Sequence, residues 1–339
     1  MPAEFWDGAC REQSGRGTVR RNPQRGSPQM LIYPVFLPQA ACPGTCIYCD
    51  QVAITGAPAL PDPLALSRDL EAFLCRNRDR EKQIAFYGGS FTAIPEAERN
   101  QLLAPILPLM DEITTLRIST HPLYIDEQIL AWAKTVRIRT IELGIQDFTD
   151  EVLLASRRGY SSSDAIRACR MVKENRFELG VQLMPGLPGW TDASLRANRK
   201  CLEELAPDFL RVYPLIVIEG TPLAELWKSG TYRALSLEEA IAQSVDYLEL
   251  CEASGIKLIK IGLPSNLDSA KVLAGPWHPA FGEFAKAEAL VRKIMLDYQP
   301  DQPILLEKSQ CSLLLGHRRR YFRILEDRLK TCNIVLKIR

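Results

Sequence analysis

Apolar residues come along this chain in short dense runs, each followed by turn residues and then by a stretch with helical spacing. The runs fall at 31–37, 84–87, 116–119, 140–143, 179–184 and 209–213. Runs of this length between Gly, Pro and polar clusters predict buried β-strands. In the stretches between them apolar side chains recur every three to four residues. Ala165, Ile166, Cys169 and Val172 share one face of such a predicted helix, which makes Cys169 a core residue. Six β-then-α units with parallel-type connections predict an α/β protein, a partial (βα)6 TIM-type barrel. Ligands of such folds gather at the C-terminal ends of the strands, where every motif below falls.

Patterning also sets the expected boundaries. Residues 1–29 hold Arg11, Arg16, Arg20, Arg21 and Arg25 among Gly, Ser and Pro, which predicts a disordered or loosely docked basic arm. The barrel is expected over 30–262. From about Leu215 the pattern changes: Ser236 with Glu239 forms a capping box before a helix over 237–253, striped by Ile241, Val245 and Leu248. Another strand is expected at 258–261. An α/β C-terminal extension over 263–339, expected to be substrate-related, follows with a Pro/Gly-rich loop at 275–282, a helix at 283–296, and a strand, helix and strand over 304–338.

Charge and composition remove several classes. The 42 Lys+Arg against 41 Asp+Glu leave a net charge of +1, so no global field marks a nucleic-acid or membrane binder. No apolar run of about 18 residues is present, and the first thirty are polar, so a soluble cytoplasmic protein without a membrane partner is expected. In a chain of this kind the ten cysteines are expected as thiols, and a cluster of them points to metal.

That cluster is Ala41-Cys42-Pro43-Gly44-Thr45-Cys46-Ile47-Tyr48-Cys49-Asp50, directly after the first predicted strand. Three thiolates on a loop this short can take three irons of a cubane and leave the fourth open. Zinc is the competing reading. It wants four ligands, and with His121 over seventy residues away it needs Cys10 or Cys75 to fold back. Further along, paired glycines end the second strand in Gly88-Gly89-Ser90-Phe91-Thr92, either letting backbone approach a ligand or merely turning the chain. Ser119 and Thr120 close the third strand as ribose ligands or as helix caps.

The spacing Cys42-x3-Cys46-x2-Cys49, with Tyr48 before the last cysteine, resembles the signature of the radical SAM superfamily. The resemblance implies a 4Fe-4S cluster on Cys42, Cys46 and Cys49, with its open iron chelating S-adenosylmethionine. It also implies reductive cleavage of that cofactor to a 5′-deoxyadenosyl radical, and an electron donor of the flavodoxin or ferredoxin type. Tyr48, Gly88, Gly89, Ser90, Ser119, Gln146 and Arg158 become candidate cofactor-binding residues, Arg158 by pairing with the cofactor carboxylate. The alternative for Arg158 is an exposed helix end.

Four further segments carry the resemblance to one branch, that of the elongator catalytic subunit: Gly88–Thr92, Ile141-Glu142-Leu143-Gly144-Ile145-Gln146, Met184-Pro185-Gly186-Leu187-Pro188-Gly189, and Arg211-Val212-Tyr213-Pro214-Leu215 through Gly220-Thr221-Pro222-Leu223. Members with both radical SAM and acetyltransferase domains modify the wobble uridine of tRNA. No acetyltransferase domain is expected here, so use of acetyl-coenzyme A does not carry over, and Tyr160 stands where the branch has His. The expectation is a radical SAM enzyme of unknown substrate. The alternatives are a tRNA-modifying radical SAM enzyme, with RNA as partner, and a cluster or haem carrier without turnover. His278 and Glu283 are candidate catalytic residues, weighed against a structural loop histidine. The run His317-Arg318-Arg319-Arg320, with Tyr321 and Phe322 expected as aromatic surface, is weighed between phosphate contact and a solvated helix face.

Overall fold

The computed structural model describes residues 30–37, 42, 46–50, 53–54, 59–263, 267–300, 302–331 and 334–338. The expected arm of 1–29, with Cys10, lies outside them, as do Pro43 and Gly44. The six predicted strands are present as β1 (Leu31–Phe36), β2 (Lys82–Tyr87), β3 (Thr114–Thr120), β4 (Ile138–Gln146), β5 (Glu178–Leu183) and β6 (Phe209–Val212). A two-residue strand, β7 (Val217–Ile218), leaves the sheet. The chain then returns as β8 (Lys257–Ile261), so the curled parallel sheet has seven strands in the order β1-β2-β3-β4-β5-β6-β8. β7 pairs antiparallel with β9 (Val272–Ala274). The sheet is open: β1 and β8 are its two edges.

Crossovers between the strands carry α1 (Pro63–Arg76), α2 (Glu96–Leu103), α3 (Glu127–Thr135), α4 (Asp150–Ala155), α5 (Ser162–Glu174) and α6 (Asp192–Leu205). Their apolar faces meet one side of the sheet. Ile84, Phe86, Leu116, Ile118, Ile141, Leu143, Ile145, Leu179, Val181, Leu183, Leu210 and Val212 all belong to that single core, together with Ala165, Cys169 and Val172 of α5.

The alternate positions of the same strands face the lumen, and they are polar. Gln83 Nε2 donates to Thr140 Oγ1 at 2.9 Å and Thr140 Oγ1 donates to the Glu178 carboxylate, which closes the floor. Above it, Ser119, Glu142, Gly180 and Phe209 lie level, and one step nearer the mouth come Gly144, Gln182, Arg211 and Lys260. Glu142, 2% exposed, is the only carboxylate of these two levels, and its Oε2 lies 2.6 Å from Arg117 Nη2 and 3.0 Å from Arg211 Nε. Arg117 is stacked over Phe209, 4.2 Å from the ring centre.

After β7 come α7 (Pro222–Lys228) and α8 (Leu237–Ser254). The capping box read at α8 forms: Ser236 Oγ accepts from Glu239 N–H at 3.2 Å and Glu239 accepts from Ser236 N–H at 2.8 Å. The remaining elements are α9 (Phe281–Asp297), β10 (Ile304–Leu306), α10 (Lys308–Leu329) and β11 (Leu336–Ile338); α9 packs between α8 and α10, and β10 pairs parallel with β11. α10 is broken at 316–319, where His317, Arg318 and Arg319 take φ of 48°, 59° and 61°. The helix that resumes there turns Tyr321 and Phe322 inward, to 2% and 5% exposure. They are core rather than the aromatic surface expected from the sequence. No helix among the described residues is long and apolar enough to cross a membrane.

Gly180 is dictated by this lumen. A Cβ there would sit 2.0 Å from the Phe209 ring, which Arg117 covers from the other side. Gly180→Ala is therefore expected to cost about 1–3 kcal/mol by overpacking, read as a lower urea midpoint and recovered in part by adding Phe209→Leu. An unchanged midpoint would contradict this packing.

Candidate active site

A cavity of about 390 Å³ opens at the C-terminal ends of the strands. Cys42, Cys46 and Cys49 all line it, as do Tyr48, Gly88, Gly89, Ser90, Ser119, Gln146 and Arg158. The cysteine loop is anchored by its own buried residues. Ile47 and Tyr48 pack with Val152, Leu187, Leu215 and Leu223, and the Ile47 carbonyl accepts from Leu223 N–H at 2.8 Å. Asp50 Oδ1 accepts from Ala53 N–H at 2.9 Å, starting the short helical turn beyond Cys49. Among the described residues no three His, Cys, Asp or Glu side chains converge to hold one metal ion. A cubane asks for something different, since each thiolate takes a separate iron.

Arg158 fixes the loop to the barrel. Its Nη1 donates to Cys46 Sγ at 2.9 Å and lies 3.3 Å from the Tyr48 hydroxyl; Nη2 donates to the Gly144 carbonyl at 2.6 Å, and Nε to Tyr160 Oη at 3.1 Å. It is 8% exposed, so this is no solvated helix end. With its donors directed at protein atoms, Arg158 holds a cysteine in place. Tyr160 Oη donates to the Ile145 carbonyl, and burial pushes its pKa up to about 12. It is a structural strut at neutral pH.

The strand-end motifs converge on the same space. Gly88 takes φ +105°, a conformation that favours glycine, and Ser90 Oγ lies 3.5 Å from Cys42 Sγ. Thr120 Oγ1 is engaged with Thr92 Oγ1 at 2.6 Å. The helical turns that follow are capped by His121 and Asp126, leaving Ser119 Oγ buried without a partner among the described residues. Gln146, at φ +70°, accepts from Gln182 Nε2 at 3.1 Å. A Cβ on Gly144 would meet the Gln146 amide nitrogen at 2.9 Å, so glycine there makes room for that amide.

Residues 36–201 match the radical SAM superfamily, and residues 207–293 match its C-terminal domain. The chain belongs to the radical SAM superfamily. Radical SAM enzymes use a 4Fe-4S cluster and S-adenosylmethionine as cofactors. It is 35% identical over 132 residues to the tRNA uridine(34) acetyltransferase of Methanocaldococcus infernus, covering 37% of this chain and 24% of that protein. To Elongator complex protein 3 of Mus musculus it is 28% identical over 176 residues, covering 45% of this chain and 32% of that protein. The matched stretches thus span only a minor part of these relatives. In fold it is similar to the solved archaeal Methanocaldococcus infernus Elp3 with an N-terminal deletion, at a TM-score of 0.60 and 19% identity over 80% of this chain and 63% of that one.

The cavity suits the radical SAM cofactors in its donor set: three half-buried thiols, a glycine pair with backbone exposed to the space, and an orphaned Ser119 hydroxyl. Other candidates lie elsewhere. Glu283 is exposed and bonded to His317 Nε2 at 2.6 Å, and His278 stacks on Phe284 at 4.4 Å between ring centres; neither lines the cavity. Arg320 pairs with Glu238 at 2.6 Å, while Arg318 and Arg319 are exposed. Sequence reasoning missed Tyr87, His121, Gln182, Arg211, Tyr213 and Lys260, all of which line the cavity. Alternation within the strands is the signal for most of them: Gln182 falls between Val181 and Leu183, and Arg211 between Leu210 and Val212, at the inward positions.

His121 Nε2 donates to the Arg158 carbonyl at 3.2 Å and Nδ1 accepts from Leu123 N–H at 3.4 Å. Burial, and then the Arg158 charge, push its pKa down from 6.5 to about 3. The unfolded chain takes this proton as pH falls through 6.5 and the folded chain does not, so stability is lost as pH falls from 6.5 toward 3. The slope is at most about 1.4 kcal/mol per pH unit for one group. Urea unfolding at pH 7, 6 and 5 should show a shallower loss for His121→Gln than for the parent; identical slopes would refute the neutral buried ring.

Proposed function

We propose that Cys42, Cys46 and Cys49 hold the cluster, that the residues around it bind S-adenosylmethionine, and that the chain directs the resulting radical to an RNA substrate. The observation that carries the reading is the meeting of all three thiols with the glycine pair and Ser119 in one cavity. The chemistry supplied when both cofactors are bound is reductive cleavage of S-adenosylmethionine to a 5′-deoxyadenosyl radical.

The chain's own residues bind, orient and shield. Arg158, donating to Cys46, fixes the position of that sulfur at the cavity wall. Ser90 plays a neutral counterpart at Cys42. Gly88 and Gly89 offer backbone groups to the amino end of S-adenosylmethionine, and Ser119 a hydroxyl to its ribose. The Gln146 amide is held by Gln182 at the mouth of the barrel. Tyr48, buried under α7, keeps water from the loop side. An electron donor of the flavodoxin or ferredoxin type serves from outside. RNA as substrate is supported by the relatives named for tRNA uridine(34), and the exposed Arg318 and Arg319 offer phosphate contacts.

Anaerobic reconstitution should give about four iron and four sulfide per chain, with 5′-deoxyadenosine formed on reduction with S-adenosylmethionine. Cys46→Ala should lose the cluster and this product while the far-ultraviolet circular dichroism of the barrel persists. Full iron content in that variant, or no product from the loaded parent under any reductant, overturns the initiating half of the proposal. For the substrate half, bulk tRNA should bind at low salt and release as salt rises, with affinity falling steeply on a log–log scale. No binding at low ionic strength would exclude RNA.

A further inference from the structure

Above its floor, the lumen carries more positive charge than its one carboxylate at those levels balances. Glu142 serves both Arg117 and Arg211. Arg211 Nη1 donates to Tyr213 Oη at 2.9 Å and Nη2 to Tyr87 Oη at 3.1 Å. Its register partner across β6 and β8 is Lys260, which lines the same cavity. The Lys260 ammonium has no hydrogen-bond or ion-pair partner among the described residues. Burial, and then the Arg211 charge, push the Lys260 pKa down, the mark of a cation left in an uncompensated field. Tyr87 and Tyr213 each accept from Arg211 and keep a proton to donate, since burial raises the pKa of both hydroxyls.

We infer that Lys260, backed by Arg211 and flanked by the hydroxyls of Tyr87 and Tyr213, is an oxyanion subsite for the carboxylate or phosphate of a small-molecule second substrate. The inference deepens the proposed function and rests on it for the ligand's role. A compact ammonium with three free donors, set in a partly desolvated wall, is a point-charge site for such a group. The ligand gains more there than at the surface because the field is less screened. A small acid fits better than a polynucleotide backbone, because the pair sits inside the barrel and the Arg211 side chain is only 15% exposed. Lys260, Arg211 and Tyr213 come from β8, β6 and the residue after it, whereas the candidate cofactor residues come from the loops and strand ends of β1 to β4; only Tyr87, next to Gly88, borders both.

The test is a titration of the reconstituted full chain, saturated with S-adenosylmethionine, with inorganic phosphate and separately with acetate, followed by calorimetry at low ionic strength. One of the two anions should bind saturably, roughly tenfold or more weakly in Lys260→Gln, and within a few-fold of the parent in Lys260→Arg. Iron content equal to the parent's verifies that the glutamine variant keeps its barrel. Three outcomes overturn the inference: neither anion saturates, the glutamine variant binds as the parent does, or an anion binds only when S-adenosylmethionine is left out, which makes this the cofactor's own carboxylate position. The readout is binding rather than turnover. A chain that takes up iron yet makes no 5′-deoxyadenosine fails the radical reading and leaves this result to stand by itself.

Discussion

One buried carboxylate makes the interior of this barrel possible. Glu142 stands between two guanidiniums in a lumen whose inward side chains are mostly polar. Removing one partner from such a group leaves charge stranded away from water, a penalty of about 3–5 kcal/mol. Here, losing Glu142 would strand two cations at once. Glu142 joins Arg117, on its aromatic support, to Arg211, tied to two phenols, and this network sits above the separate Gln83–Thr140–Glu178 chain of the floor. The helices outside see only the apolar alternate positions. The sheet curls around its charged face, and the cavity is the space that remains.

Beside the packing of Ile47 and Tyr48, one side chain ties the cysteine loop to the strand ends. Arg158 reaches Cys46, Tyr48, Tyr160 and the Gly144 carbonyl, and its own carbonyl fixes the His121 ring. The end of β4 and the loop after β1 are thereby referred to a single guanidinium, and the end of β3 to the backbone carbonyl of the same residue. A planar fork with five donors can do this; a lysine cannot.

Much of the fold could be read from the chain because it depends on local period. The six apolar runs, the capping box at Ser236 and Glu239, and the closing strand-helix-strand are each written within a few adjacent residues. Spacing alone also brought out the three cysteines. What escaped depends on long-range register. Nothing near Arg158 announces a thiol 112 positions away. Lys260 meets Arg211 only because β8 joins the sheet with a slip at Leu210 and Arg211, which sets Lys260 rather than Ile259 level with it. Tyr321 and Phe322 follow three arginines and read as surface, yet the left-handed turn before them reverses the helix face. The choice between Ser119 and Thr120 turned on Thr92, which captures one hydroxyl and not the other.

Because the sheet does not close, the barrel has a seam. Where the loop after β1 meets the loop after β8, the wall is made of Ala53, Ile54, Ile216, Ile218, Leu263 and Leu267, crossed by a backbone hydrogen bond from Asp268 to Ala53. Elsewhere, widening the lumen means breaking a ladder of hydrogen bonds between strands. At the seam, aliphatic contacts and the Asp268–Ala53 hydrogen bond stand in place of that ladder. The boundary between the first and last strands is thus the part of the wall that side-chain packing, not strand pairing, has to seal.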